Sequence, residues 1–410
     1  MRGLRPPPPT DAAATTISNR PSTARPAHSA AAIPRTARAA DSAVAPAAAV
    51  WALLLAKLAG GWGLGWDIRW HLLIGRDSFW IPPHVLTYAS VTAAAIVAFG
   101  VIALETWRAR GGAAAAGTVR VAGFVGTPGF HLVWLGLALT ILAAPIDDLW
   151  HRLFGLDVTL WSPPHLLGLA GAQVSTLALL IVALEVWPAG SRARRTAMML
   201  AGAFLFGTFT IIADPAGRIA FLYGGVRFFT WPVLMALFTV FSLTFTTRLA
   251  GWRSAPLLVI ALSLLVQLST WAVTDIGFAL AQPTSVIDQV LAADDGTSPI
   301  AVAHEMARRN GGTPGRSLTS RLVPLLPALV LALVDVRRRW VAASLAAGMA
   351  LFAIAGVTMV RAPAFAHAVP GAATFGAGVM LTLAAALAGG WLGSGLARRV
   401  MNSAPPSLRR

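Results

Sequence analysis

The chain has 410 residues, of which 56% are hydrophobic and 12% are charged, and its mean hydropathy is +0.69. Soluble domains carry roughly a quarter charged residues, so this composition excludes an ordinary soluble protein and predicts repeated membrane-spanning helices. The formal net charge of +16 is spread over short loops and tails, with no basic face of interleaved aromatic residues, so we expect no nucleic-acid partner.

The predicted fold is all-α: a polytopic transmembrane helical bundle of about ten spans, each long enough to cross the hydrocarbon core. Residues 1–42 are rich in proline, alanine, serine and arginine, which predicts a disordered cytoplasmic tail. The eighth span is short, and we expect it to be tilted or re-entrant. The spans are predicted at residues 43–66, 84–107, 129–149, 165–187, 196–213, 229–248, 255–280, 320–336, 340–360 and 372–396.

Arginine is concentrated in the N-terminal tail, in alternate loops and in the C-terminal tail, residues 401–410. The positive-inside bias then predicts that both termini lie in the cytoplasm and that the chain sits in a bacterial-type plasma membrane. The lipid bilayer is therefore the first expected partner. Partner membrane subunits or a second copy of the chain are further candidates.

An internal repeat runs through the first four spans. Each copy has an aspartate, a histidine four residues later, and a second histidine directly after a Pro-Pro pair. The second copy follows the first by 80 residues at the aspartate and by 81 at the last histidine. The repeat therefore predicts two similarly oriented two-helix units within residues 43–190. Additional helices of unknown role are predicted within residues 191–400. The repeated residues are Asp67, His71 and His84, and then Asp147, His151 and His165.

The composition of this motif predicts a pair of metal sites toward the outer side of the membrane. Aspartate and histidine four residues apart share a helix face, and the Gly- and Pro-containing connection brings the second histidine back to them. The chain has no cysteine, so a metal must be held by imidazole and carboxylate groups. Two imidazoles and one carboxylate suit copper, iron or zinc and leave positions open for water, oxygen or a substrate.

Four further residues are candidates for hydrogen bonds to the predicted ligands. Asp77 and Asp157 lie in the two connections, and His131 begins the third span. Asp148 neighbours Asp147 and is an alternative ligand, although the matching spacing favours Asp147.

The other polar residues suggest weaker hypotheses. Asp214 and Asp275, near the outer ends of their spans, are candidates for functional intramembrane acids. His304 and His367 are single histidines that we expect to face solvent. Five tryptophans are expected in the interfacial belt rather than in contact with a cofactor: Trp66, Trp70, Trp80, Trp150 and Trp161.

The motif resembles that of the C subunit of the copper membrane monooxygenases, the particulate methane and ammonia enzymes. That family has Asp-x-x-Trp-His followed by Arg-Asp-Thr-Asp-Phe-Thr-Pro-Ser-His. This chain has the same spacing, from Asp67 through Trp70-His71 and Arg76-Asp77 to His84. The resemblance covers about residues 60–110 and 140–190.

The resemblance implies copper at both copies of the motif. The family's first intramembrane copper site maps onto Asp67, His71 and His84. Its second site has Asn, His and His, where this chain has Asp147, His151 and His165. It further implies partner subunits and an oxygen-dependent oxidation of a small apolar substrate, while no catalytic residue is identified. The alternative is non-catalytic transport or handling of copper or zinc; a bis-histidine haem fits the aspartates poorly.

Overall fold

The computed structural model describes residues 35–75, 78–154 and 159–403, with side chains from residue 46 onward. Apolar helices account for most of these residues. The all-α prediction is confirmed. The helices are α1 (Arg35–Leu73), α2 (Pro82–Arg110), α3 (Pro128–Phe154), α4 (Pro163–Val186), α5 (Arg192–Ala213), α6 (Pro215–Tyr223), α7 (Thr230–Ala250), α8 (Ala255–Ala281), α9 (Ile287–Ala292), α10 (Pro299–Arg309), α11 (Leu318–Leu322), α12 (Leu325–Val334), α13 (Trp340–Arg361) and α14 (Ala372–Ser403), with 3-10 turns at Gly225–Phe229 and Pro363–Phe365.

A short hairpin was not predicted. Strands β1 (Val119–Val121) and β2 (Phe124–Gly126) pair antiparallel between α2 and α3. The hydroxyl of Thr106, in the last turns of α2, accepts a 2.8 Å hydrogen bond from the Val125 amide and anchors the hairpin to the bundle.

The chain divides into two units at Asp41 and Ser42, next to the predicted end of the tail at residue 42. Helix α1 begins at Arg35, within the segment that was predicted to be disordered, and residues 1–34 and 404–410 lie outside the described residues. The second unit contains both predicted halves of the bundle. Its largest core cluster joins Leu180 of α4 to Leu205 of α5 and Leu243 of α7, so the two halves share one core.

Within the described residues, nine helical segments are long and apolar enough to cross a membrane. The expected eighth span corresponds to the shorter apolar segment 318–334. At the start of this segment, Arg321 pairs with Asp214 at the end of α5 (3.4 Å). At its end, the Leu333 carbonyl accepts a 2.7 Å hydrogen bond from Arg253, just before α8. Because α5 ends on the side where α8 also ends, segment 318–334 runs antiparallel to α8.

The sequence repeat is also a repeat of helix packing. In the first copy, a Cβ added to Gly63 of α1 would lie 2.9 Å from the Thr87 amide nitrogen of α2. In the second copy, a Cβ added to Gly171 of α4 would lie 2.6 Å from the Gly136 carbonyl of α3. Small residues allow such close backbone approach between membrane helices. Each unit is therefore a tightly crossed helix pair, and its motif lies where the two helices meet at one end.

The α3–α4 crossing yields a prediction about stability. Gly136→Leu forces the helices apart, and we expect a loss of about 1–3 kcal/mol of unfolding free energy through overpacking. Gly100→Leu is the matched control, since Gly100 lies on the exposed face of α2 with no heavy atom within 4 Å of an added Cβ. Thermal unfolding in detergent should show a lower transition temperature for Gly136→Leu alone. Equal transitions in the two variants would contradict this account of the crossing.

Candidate metal centre

The second copy of the motif gathers its three side chains where α3 ends and α4 begins. Asp147 and His151 lie one turn apart on α3, and His165 follows Pro163 and Pro164 in the first turn of α4. Asp147 Oδ1 lies 3.7 Å from His151 Nε2 and 3.4 Å from His165 Nε2. One donor atom of each residue lies within 4.8 Å of the other two. These donors therefore have the spacing of ligands around one ion.

The first copy brings the corresponding residues together with one imidazole turned. His84 Nε2 lies 3.0 Å from Asp67 Oδ1. His71 faces the same oxygen with Nδ1, at 3.4 Å, and this nitrogen also lies 3.0 Å from the Asp67 carbonyl oxygen. The ring centroids of the two histidines are 6.3 Å apart, compared with 6.4 Å in the second copy. The two triads thus share their composition and overall spacing but differ in the orientation of the first histidine.

The last histidine of each triad is oriented by a backbone carbonyl six residues earlier in the chain. His84 Nδ1 lies 3.1 Å from the Ser78 oxygen, and His165 Nδ1 lies 2.8 Å from the Thr159 oxygen. A carbonyl can only accept, so each Nδ1 carries the proton and leaves the Nε2 lone pair directed at the aspartate. A metal-binding histidine is usually held by such a hydrogen bond from its other nitrogen.

The donor atoms fit a metal ion. Asp67 Oδ1, Asp147 Oδ1 and His151 Nε2 are buried and make no hydrogen bond within the described part of the chain. Buried polar atoms without a partner are costly. Ligand atoms ~2.1 Å from a tetrahedral ion lie roughly 3.4 Å from one another, which is close to the carboxylate–imidazole separations in both triads. Among the described residues, only the second triad also brings donor atoms of all three residues within 4.8 Å of one another. The carboxylate and imidazole donors suit copper, iron or zinc.

The candidates for supporting hydrogen bonds have different positions. Asp148 points away from the triad and pairs with Arg152 at 2.6 Å. His131 lies in the first turns of α3, about 24 Å along the helix axis from Asp147, so the proposed contact between His131 and a ligand is wrong. Asp77 and Asp157 lie outside the described residues.

The connection between α8 and α11 closes the end of α1 beside the first triad. Carbonyl groups in the last turn of a helix have no partner within the helix. Here the Ile74 carbonyl accepts a 2.8 Å bond from the Val286 amide, and the Leu72 carbonyl accepts a 2.7 Å bond from His304 Nε2. His304 is therefore a partly buried cap of α1, and the prediction that it faces solvent is wrong. His367 is exposed, as predicted, although its Nε2 lies 2.8 Å from the Phe221 carbonyl oxygen.

An ion-pair cluster holds the first motif to the second half of the chain. Arg69, whose side chain is 8% exposed, donates a 2.9 Å hydrogen bond to Asp275 of α8. Arg316 donates to both oxygens of the same carboxylate at 2.5 Å. Asp275, a candidate functional acid, is thus placed as the shared partner of two guanidinium groups. The second motif has Leu149 where the first has Arg69, so this cluster belongs to the first site alone.

Three of the five tryptophans expected in the interfacial belt pack against protein. Trp70 stacks on Phe278 of α8 with ring centroids 5.9 Å apart, and Trp66 packs edge-on against the same ring. Trp161 donates a 2.7 Å hydrogen bond to the Ile212 carbonyl of α5. Their partners lie more than 50 residues away in sequence, so nothing in the local pattern distinguishes them from belt residues. Trp80, by contrast, is 73% exposed.

Both triads line one cavity of about 1160 Å³ inside the bundle. Its walls are mostly apolar, and they come from both copies of the repeat and from the second half of the chain. The cavity is somewhat larger than the usual range for small-molecule pockets, about 300–1,000 Å³. Apolar lining side chains include Leu64, Ile68, Val91, Leu137, Ile141 and Phe204. The Asp and His side chains of both triads therefore face a shared, largely apolar space.

The fold and the site define a multi-pass membrane protein with two Asp/His/His clusters, of which the second has donor atoms spaced closely enough to hold a metal ion. Comparison with known proteins adds no relative: no family model matches the sequence, and neither the curated proteins nor the solved structures contain a match.

The Arg69–Asp275 pair yields a second prediction. Asp275→Asn leaves the buried Arg69 guanidinium without a carboxylate, while Asp275 itself is half exposed, so we expect a loss of only about 1 kcal/mol. Metal affinity should fall at the first triad and stay unchanged at the second. Asp148→Asn, which removes an exposed pair beside the second triad, is the control and should change neither stability nor metal content. Metal titration with calorimetry measures both sites; equal weakening of the two would refute a local role.

Proposed function

We propose that this chain is an integral membrane copper protein that binds one metal ion at each Asp/His/His triad and takes part in the oxygen-dependent oxidation of an apolar substrate. The observation that carries the proposal is the convergence of both triads on one cavity. Buried oxygen and nitrogen atoms there lack hydrogen-bond partners among the described residues. The resemblance to the monooxygenase C subunit at the same residues favours copper over iron and zinc.

The residues of the chain would divide the work between holding the metal and holding the substrate. Asp67 and Asp147 supply one negative charge to each site, and the histidines supply neutral nitrogen donors. The Ser78 and Thr159 carbonyls keep His84 and His165 in the tautomer that can bind a metal. Copper, when bound, would supply one-electron chemistry with oxygen. The apolar walls would admit a lipid-soluble substrate and restrict water around the site.

The charge distribution supports the proposed orientation, with both termini in the cytoplasm and the triads toward the outer side. If the shorter apolar segment 318–334 crosses as well as the nine long ones, the number of spans is even, which supports both termini on one side. Membrane partner subunits remain part of the proposal, because members of the resembled family work as assemblies.

Metal content tests the proposal first. We expect about two copper ions per chain after loading in detergent, since each triad offers one carboxylate and two imidazoles. His71→Ala and His151→Ala should each lose one ion, and the double variant should lose both. His367→Ala is the control: this imidazole contacts the Phe221 carbonyl and Arg309 rather than a triad, so both ions should be retained. Elemental analysis gives the ratio.

Three results would separate the proposal from its alternatives. Retention of all copper in the double variant would overturn the assignment of the triads. Preferential binding of zinc or iron would overturn copper while keeping the site. Two bound copper ions with no oxygen consumption, even with candidate partner subunits and a reductant, would overturn the oxidation. Metal flux into vesicles would then favour transport.

A further inference from the structure

Lys57, the only lysine in the chain, lies well inside the first membrane span, Pro46–Leu73. Its ammonium group donates to the Ala172 carbonyl at 3.0 Å and to the Ser175 hydroxyl at 2.5 Å, both on α4. These partners are neutral. An ammonium group has three donor hydrogens, so one remains for a further acceptor.

The other basic residues that line the cavity have different surroundings. Arg69 pairs with Asp275, and Arg321 pairs with Asp214. Arg218 is partly buried, and its hydrogen bonds to the Thr297 carbonyl are exposed to solvent. Among the described basic residues that line the cavity, Lys57 thus differs in having only neutral partners, through hydrogen bonds that are partly buried. Holding such a charge at membrane depth is costly unless an anion accompanies it.

The position of Lys57 relative to the first triad indicates the shape of a ligand whose anionic group would pair with Lys57. Lys57 precedes Asp67 by ten residues on the same helix, which corresponds to about 15 Å along the axis. Apolar residues of the cavity wall, including Leu64 and Ile68, lie between the two levels. Along α1, the cavity therefore has the Lys57 ammonium group about 15 Å from the first triad, and apolar side chains line the wall between them.

We propose that the cavity binds a long-chain monocarboxylate whose carboxylate lies at Lys57 and whose alkyl chain extends toward the triads. A carboxylate can accept the remaining ammonium hydrogen, and a single alkyl chain attached to it can occupy the apolar part of the cavity. A phospholipid phosphate is the competing occupant, and displacement by phosphatidylglycerol separates the two. As a statement about the substrate of an oxidation this rests on the proposed function, whereas the binding itself does not.

The test measures binding to metal-free protein in nanodiscs of zwitterionic lipid. The probe is dodecanoate, isotope-labelled at its carboxyl carbon and followed by NMR, with dodecanol as the uncharged ligand of equal length. Wild-type protein should bind dodecanoate saturably and at least about tenfold more tightly than dodecanol, because a charge-assisted hydrogen bond is worth about 1.5–3 kcal/mol. Lys57→Met should lose this preference, and Lys57→Arg should keep most of it.

Arg218→Met is the matched control, since it removes another cation that lines the cavity without a carboxylate partner and keeps the Lys57 ammonium group. Its affinity for dodecanoate should stay within about threefold of wild type, which is under 1 kcal/mol. If Lys57→Met fails to fold, the comparison of dodecanoate with dodecanol in wild-type protein still decides the matter.

Equal affinities for the acid and the alcohol in wild-type protein would overturn the proposal. So would unchanged dodecanoate binding by a folded Lys57→Met variant. Displacement of dodecanoate by phosphatidylglycerol at comparable concentration would assign the cavity to a phospholipid instead, and would also overturn it. Because copper is absent throughout, failure here leaves the metal assignment standing. Loss of copper binding elsewhere would likewise leave this result standing.

Discussion

The arrangement of both motifs depends on one constraint, the free-energy cost of placing an ionised carboxylate inside a membrane helix. Asp67 and Asp147 each lie inside a membrane helix, where an ionised group without partners is strongly unfavourable. Each is met by two imidazoles within 3.0–3.7 Å, yet its Oδ1 makes no hydrogen bond among the described residues. A cation shared by the three side chains would compensate the charge and use the open lone pairs. Without such a cation, the buried Oδ1 atoms of Asp67 and Asp147 have no hydrogen-bond partner among the described residues. The cost of leaving them unpaired is the physical basis of the metal proposal.

The repeat explains how such a cluster forms twice. The close crossings at Gly63 and Gly136 bring the two helices of each unit together, and the Pro-Pro pair begins the second helix directly before its histidine. One carbonyl then directs that histidine. These are local features of about 30 residues, so two copies of the sequence produce similar sites. The same copies also form opposite parts of one cavity wall, which only the assembled bundle creates.

This distinction decides how much the sequence could predict. The spans and the triad residues follow from periodicity, spacing and duplication, all of which are local. The roles of His304 and Trp70 depend on helix α8 and the connection after it, more than 200 residues away, so their packing could not be inferred. The partners of Lys57, Ala172 and Ser175, are also distant in sequence, at 115 and 118 residues. The one local signal is that Lys57 is the only lysine of the chain and lies within an apolar span, which does not indicate a ligand.

The second half of the chain makes the two sites unequal. Around the first triad, Asp275 and Arg316 hold Arg69, and the segment after α8 caps the end of α1. The second triad has Leu149 in place of Arg69, and its Asp148 pairs with Arg152 on the same helix. The first motif is thus held by charged groups from the second half of the chain, whereas the second motif is held there by the neutral hydrogen bond from Trp161 to the Ile212 carbonyl of α5. Two sites that are supported differently on one cavity can hold the same metal with different affinity.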